Sequence, residues 1–452
     1  MNLHLPDDFV WGVATSAYQI EGGRYQGGKG ESIWDRFADE GRMSESGDVA
    51  CDHYHRWRED VGLMKDLGVD AYRFSLAWTR IVPEGIGPVS EEGLAFYSDL
   101  IDELLAAGIT PWATLYHWDL PQALQDRGGW ANRDTAEAFA AFAAAASSML
   151  GDRVDHWITH NEPWVATVAG HVEGIFAPGI RDWAVALPAA HHILLSHGRA
   201  IQEIRRNVPG ATVGIALDCR PARPASDEPA DAAAARHFDG FRNRWFFDPV
   251  FGMGYPEDMV EAYHRLGRLD APALPFVESG DLDVIAEPVD FLGLNYYTSL
   301  DIAAGFEESE DTGVPQSASP SAGYTEMGWP ITPAALTDYL LHLNETYDPP
   351  SIVITENGAS YSDGPGSDGA VHDARRIDYL DAHIAAVAAA RDAGAPVIGY
   401  FAWSLLDNLE WTSGYAQRFG LVWVDHATGE RIPKDSFRWY RDVVRPRQAS
   451  DD

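Results

Sequence analysis

Eight times along this chain an apolar, β-branched run of strand length gives way to an amphipathic helical period. The runs are FVWGVATSA (9–17), AYRFSLAW (71–78), TPWATLYHW (110–118), HWITHNEP (156–163), TVGIALDC (212–219), DFLGLNYYT (290–298), IVITENG (352–358) and VIGYFAWSLLD (397–407). Between them lie helical patterns such as 53–68, 91–108 and 375–394, each closing on a glycine as a helix stop requires. Strands that alternate with helices and carry unbroken apolar runs are parallel and buried on both faces. Eight such units in a row close most simply into a (β/α)8 barrel, here spanning 1–452 as one α/β domain with neither linker nor repeat beyond the alternation. With 46% hydrophobic and 12% aromatic residues in 452, the core is ample. The surplus length falls in Pro/Gly/Ser/acid-rich loops at 221–230, 305–324 and 360–369, all after strands, on the face where such barrels place their active sites.

The formal charge of −36 argues against nucleic acid and anionic membrane as partners and favours solubility, as a monomer or a homo-oligomer. No apolar run approaches a membrane span, and the Ala-rich stretch 136–150 is punctuated by Glu137, Ser147 and Ser148. The amino-terminal residues lack a basic, cleavable leader, so secretion by that route is not expected. Cys51 and Cys219 are too few for a disulfide framework and have no metal-site spacing; both are expected to be small buried residues, in keeping with a reducing cytoplasm. His53 with His55, and His191 with His192, read as helix residues lacking a third ligand. The acidic clusters at 307–311 and Asp7–Asp8 read as solvated loop faces, because a calcium loop needs alternate ligands around a tight glycine turn. No metal or cofactor is expected.

Polar residues at the ends of barrel strands converge on one pocket, and this chain supplies Gln19, Arg73, His117, Asn161, Glu162, Asn295, Tyr297, Glu356 and Glu410 there. Trp118, Trp164, Trp329, Trp403 and Trp411 accompany them. Amides and carboxylates bond hydroxyl groups in pairs, while indole faces cover the C–H side of a sugar ring, so the set suits a neutral polyhydroxylated ligand. Two carboxyls in such a pocket fit glycoside cleavage, in which one protonates the leaving oxygen and the other attacks the anomeric carbon or activates water.

THNEPW (159–164) and ITENG (354–358), together with YHWDLP (116–121), GLNYYT (293–298) and WSLLDNLEW (403–411), closely resemble the signatures of glycoside hydrolase family 1, the retaining β-glucosidase family. The likeness runs from FVWGVATSAYQIEG (9–22) to KDSFRWY (434–440). It implies Glu162 as general acid/base and Glu356 as nucleophile, with Arg73 and Tyr297 supporting the latter. It also places Gln19, His117, Trp118, Asn161, Asn295, Glu410 and Trp411 around the non-reducing sugar, Trp403 beneath it, and Trp164, Trp329 and Phe419 on the leaving-group side. The expected activity is hydrolysis of terminal β-D-glucosyl residues from cello-oligosaccharides and aryl or alkyl glucosides by double displacement, with galactosides, fucosides and transglycosylation as side activities. A 6-phospho-β-glycosidase is the nearest alternative, and it is disfavoured because Glu410 and Trp411 are kept and no lysine lies between Lys65 and Lys434. A catalytically silent sugar-binding barrel is a second alternative, against which both glutamates argue.

Overall fold

The computed structural model describes residues 5–305 and 323–445. The eight apolar runs form eight parallel strands: β1 Val10–Ala14, β2 Ala71–Ser75, β3 Thr110–Tyr116, β4 His156–Asn161, β5 Thr212–Cys219, β6 Phe291–Tyr296, β7 Ile352–Asn357 and β8 Val397–Trp403. Each pairs with its neighbours in sequence, and β8 closes on β1 with Val10 opposite Gly399 and Ala14 opposite Trp403. With helices between the strands this is a (β/α)8 TIM barrel.

The helices form where the periodicity placed them. Ser90 caps Glu91–Ala106 by accepting the Gly93 N–H at 3.1 Å, two glutamates sit in its first turn, and Gly108 leaves it at φ 78°. The Ala-rich helix Asp134–Leu150 packs along Trp183–Asn207, where small side chains let two helices approach closely. Among the described residues no helix is long and apolar enough to cross a membrane. Cys51 and Cys219 are buried and unpaired to one another.

Inside the barrel, Trp112, Phe291 and Phe401 pack at tilted angles as a plug, with ring centroids 5.2 and 5.1 Å from Trp112. A Cβ on Gly12 would come within 2.3 Å of the Phe401 ring, and one on Gly214 within 2.7 Å of Phe291, so these two glycines make the room the rings fill. Burial of each ring contributes about 1.5–3 kcal/mol. The plug closes the barrel from below and leaves its carboxyl-terminal mouth as the open end.

Several boundaries differ from the sequence reading. The run 9–17 is strand only to Ala14, and 397–407 only to Trp403; beyond those points Leu405 and Leu406 remain fully buried because the chain folds over the barrel mouth rather than out to solvent. The segment 221–230 is not all loop: Ala222–Pro224 pairs in parallel with Leu300–Ile302, and a helix begins at Pro229. A second small sheet joins Val422–Val424 to Arg431–Pro433. Most of the loop 305–324, including the acidic cluster 307–311, lies outside the described residues.

Candidate active site

Glu162 follows the last residue of β4, and Glu356 is the next-to-last residue of β7. Both stand beside irregularities of the strand ladder, between Ile158 and Asn161 against β5 and between Leu294 and Asn295 against β7. Such offsets re-aim a side chain out of the regular pleat. Glu162 itself has φ 50°, a left-handed backbone that a residue with a Cβ rarely adopts; Trp118 and Trp411 share that conformation at φ 76° and 48°. All three line one cavity of about 450 Å³ at the barrel mouth, within the range of small-molecule clefts, roughly 300–1,000 Å³. A larger depression of about 990 Å³ between Trp183, Leu187, Leu266 and Phe276 contains neither glutamate.

The cavity wall brings together Glu162, Glu356, His117, Trp118, Trp164, Asn295, Tyr297, Trp329, Trp403, Glu410, Trp411 and Phe419. Gln19, Asn161 and Arg73 lie immediately behind it, buried, with their polar atoms engaged. Gln19 donates from Nε2 to the Leu409 carbonyl (2.8 Å) and Asn408 Oδ1 (3.1 Å), and accepts from Ser16 Oγ (2.5 Å). Both Nε2 hydrogens are thus engaged, and the second lone pair of Oε1 is what Gln19 has left to offer a sugar hydroxyl. Asn161 accepts at Oδ1 from Arg73 Nη2 (2.6 Å) and Asn295 Nδ2 (3.0 Å). Its own amide lies 3.2 Å from His117 Nε2.

The two carboxyls sit in different electrostatic surroundings. Burial pushes both above the ordinary glutamate value. For Glu356 the rise is opposed by Arg73, whose Nη1 donates at 2.6 Å, by the Tyr297 hydroxyl at 2.7 Å and by the Asn295 amide. For Glu162 burial is reinforced by the negative charges of Asp218 and Glu356, and the Asn295 amide (2.6 Å) and Arg242 oppose it. The proton of the pair therefore resides on Glu162, and Glu356 is the ionised member. Asn295 Nδ2 donates to Glu162 Oε1 and to Asn161 Oδ1, and Asn161 accepts in turn from the arginine that holds Glu356, so one hydrogen-bonded network joins the two carboxyls. Glu410 is raised to about 8 by burial and by Glu356. His117 is driven well below its usual value by burial and the nearby Arg73, so its ring is neutral.

The profile of glycosyl hydrolase family 1 matches residues 1–449. The chain belongs to glycosyl hydrolase family 1. It is 45% identical over 444 residues to "Beta-glucosidase A" of Thermotoga maritima, covering 97% of each chain. The solved family 1 β-glucosidase of that organism superposes with a TM-score of 0.93 at 44% identity, covering 98% of this chain and 99% of the other. A "Bifunctional beta-D-glucosidase/beta-D-fucosidase" of Bifidobacterium breve is 42% identical, covering 99% of this chain and all of its relative.

In this family 1 chain the motif WSLLDNLEW serves two purposes. Trp403 and Trp411 flank His117, with ring centroids 5.8 and 6.1 Å away and planes within 17° of parallel. Asp407, fully buried, accepts from Lys434 Nζ (2.7 Å), Arg418 Nη1 (2.9 Å) and the Gly420 N–H (2.9 Å), fastening the loop that carries Glu410. Trp329, Phe419 and Tyr297 form an aromatic cluster with centroids 5.4–6.2 Å apart.

Sequence reasoning missed Asp218, Arg220, Glu173 and Arg242, all on the cavity wall. Asp218 was within reach, because it is a polar residue near the end of β5 like the others at strand ends. Arg242 carried no such signal. It sits in a π-helical turn, Gly240–Arg244, well beyond any strand. His53 and His191, set aside as ligands, bond Asp60 (2.7 Å) and Asp281 (2.9 Å) inside the fold.

Proposed function

We propose that this chain is a retaining β-glucosidase that releases terminal β-D-glucose from cello-oligosaccharides and from aryl or alkyl glucosides, acting in the cytoplasm as one catalytic unit over its whole length. The carrying observation is the pair Glu162 and Glu356, facing one cavity and linked through Asn295, Asn161 and Arg73, yet set apart in charge by Asp218 on one side and Arg73 with Tyr297 on the other. Double displacement needs the two carboxyls roughly 5–5.5 Å apart, whereas an inverting enzyme leaves room for its water at roughly 6.5–9.5 Å. The relatives named as β-glucosidases support the sugar class.

In this reading Glu356 attacks the anomeric carbon as the glycosidic C–O bond breaks, and Glu162 gives its proton to the departing oxygen. The ester neutralises Glu356 and so removes one of the charges that raised Glu162. Glu162 then takes a proton from water, which attacks the same carbon and frees Glu356. On the sugar side, His117 has Nδ1 without a partner among the described residues, and Glu410 near neutrality both donates and accepts. Either 4-hydroxyl epimer can meet Glu410, which supports galactoside and fucoside side activity, in line with the bifunctional relative. Lys434 is fully buried against Asp407, leaving no lysine to neutralise a 6-phosphate.

The test is an NMR time course with p-nitrophenyl β-D-glucoside. β-Glucose appearing before mutarotation is the expected result; α-glucose first would require an inverting mechanism, and no turnover would leave the binding-protein reading in its place.

The pH profile gives a second prediction. kcat/KM falls on the acid side as Glu356 takes up a proton and on the alkaline side as Glu162 loses one. The Tyr297 hydroxyl stabilises the charged form of Glu356, so its removal raises that pKa. A hydrogen bond to a charged group is worth about 1.5–3 kcal/mol. Tyr297→Phe should therefore move the acid limb upward by about one to two pH units, with the alkaline limb nearly unmoved.

A further inference from the structure

The leaving-group half of the cavity contains more hydrogen-bond donors than the protein uses. Arg242 is 5% exposed, donates from Nη2 to Asp218 and lies with its guanidinium carbon 3.5 Å from the centre of the Trp164 ring. Its Nε and Nη1, together with Trp164 Nε1, are buried with no partner among the described residues. Beside it Arg220 stands with its guanidinium carbon 5.6 Å from the centre of the Trp329 ring, and no side-chain hydrogen bond engages it among the described residues. Both arginines are set in place by Asn243, which accepts from the Arg220 N–H at 3.1 Å and donates to its carbonyl at 3.2 Å, joining the π-helical turn to the end of β5. The positive charge of Arg242, after burial itself, lowers Arg220 to about 10.

Two neighbouring guanidiniums in one cleft run against the composition of a chain with 69 acidic and 33 basic residues. Of the carboxyls facing them, Asp218 is already bonded to Arg242, Glu162 holds the proton of the catalytic pair, and Glu173 is partly exposed and itself raised by burial. A buried donor left unsatisfied costs about 1–3 kcal/mol. A planar carboxylate meets the fork of a guanidinium with two parallel bonds, and indole faces on either side favour a flat aromatic body.

We infer that the leaving-group subsite recognises an aglycone bearing a carboxylate, so that β-glucosides of aromatic hydroxy acids are preferred over their neutral counterparts through Arg220 and Arg242. This rests on the β-glucosidase reading and deepens it. No new chemical step is involved: the hydroxy acid departs with the proton from Glu162 on its phenolic oxygen.

The test compares 4-carboxyphenyl β-D-glucoside with its carboxamide at pH 7, in the wild type and in Arg220→Met. The wild type should favour the acid by about tenfold in kcat/KM, mainly through KM, and the ratio should fall towards one in R220M while Arg220→Lys keeps part of it. Any intrinsic difference between the leaving groups cancels in the comparison of variants. Should R220M fail to fold, inhibition of the wild type serves instead, with 4-hydroxybenzoate expected to act at about tenfold lower concentration than 4-hydroxybenzamide. Cleavage of both glucosides with a ratio unchanged by R220M, or equal inhibition by the two phenols, would overturn the inference and leave the β-glucosidase reading standing. Cleavage of neither would remove both.

Discussion

Replacing Glu356 by Gly should lower hydrolysis of p-nitrophenyl β-D-glucoside by more than about 10⁴-fold, because no other group can form the bond to the anomeric carbon. Azide or formate should restore turnover, and with azide the product should be the α-glucosyl azide, of inverted configuration. Arg73 gives this rescue an electrostatic basis. Its Nη1 lies 2.6 Å from Glu356, it is almost completely buried, and its remaining bonds go to Asn161, Thr114 and the Thr355 carbonyl. Loss of the carboxylate leaves a buried guanidinium without its counter-charge, a change that costs about 3–5 kcal/mol. Formate fits the vacated space and returns the charge, so it should raise the melting temperature of E356G as well as its rate, and should not do so for the wild type. Turnover without added anion, at a rate near wild type, would remove Glu356 from the role of nucleophile.

Glu162→Ala should separate substrates by the basicity of their leaving groups. Proton donation in the transition state is worth about 10²–10⁴-fold. Methyl glucoside or cellobiose, which depart as poor leaving groups, should lose that full factor, whereas p-nitrophenyl glucoside departs without help and should lose its factor mainly in the second step. Azide should then give the β-glucosyl azide, with retention. The alkaline limb of the pH profile should disappear, since it reports the proton that burial, Asp218 and Glu356 hold on Glu162. An equal loss for all leaving groups would place the acid elsewhere.

The barrel was readable because the strands are buried on both faces over most of their length, so the eight runs are rich in apolar and β-branched residues and their helices show the complementary period. Their carboxyl ends were not readable to the residue. Leu405 and Leu406 look like strand and are buried like strand, but belong to a loop folded over the mouth. Within the site, residues at strand ends were legible because the fold forces their convergence. Glu162, Asn295 and Glu356 are of this kind. Gln19 illustrates the opposite limit: its position follows from the motif, but its engagement with Ser16, Asn408 and Leu409 is a property of three dimensions. Arg242 lay beyond both, on a helical turn whose approach to Trp164 depends on loop packing and not on any local pattern.

The site is built from two materials. Its floor, from Arg73 through Asn161 and Asn295 to Glu356, is made of strand residues locked into the barrel's own hydrogen bonds, whereas Trp164, Arg220, Arg242, Trp329 and Phe419 stand on connecting segments. Change in the first group is coupled to folding; change in the second is coupled mainly to what the glucose is attached to. A lineage built on this frame can therefore exchange its diet of aglycones by altering connections while the sugar it removes, and the stereochemistry of removal, are inherited unchanged. For an engineer the same division means that a library confined to positions 164, 220, 242, 329 and 419 searches substrate range with little risk to the scaffold.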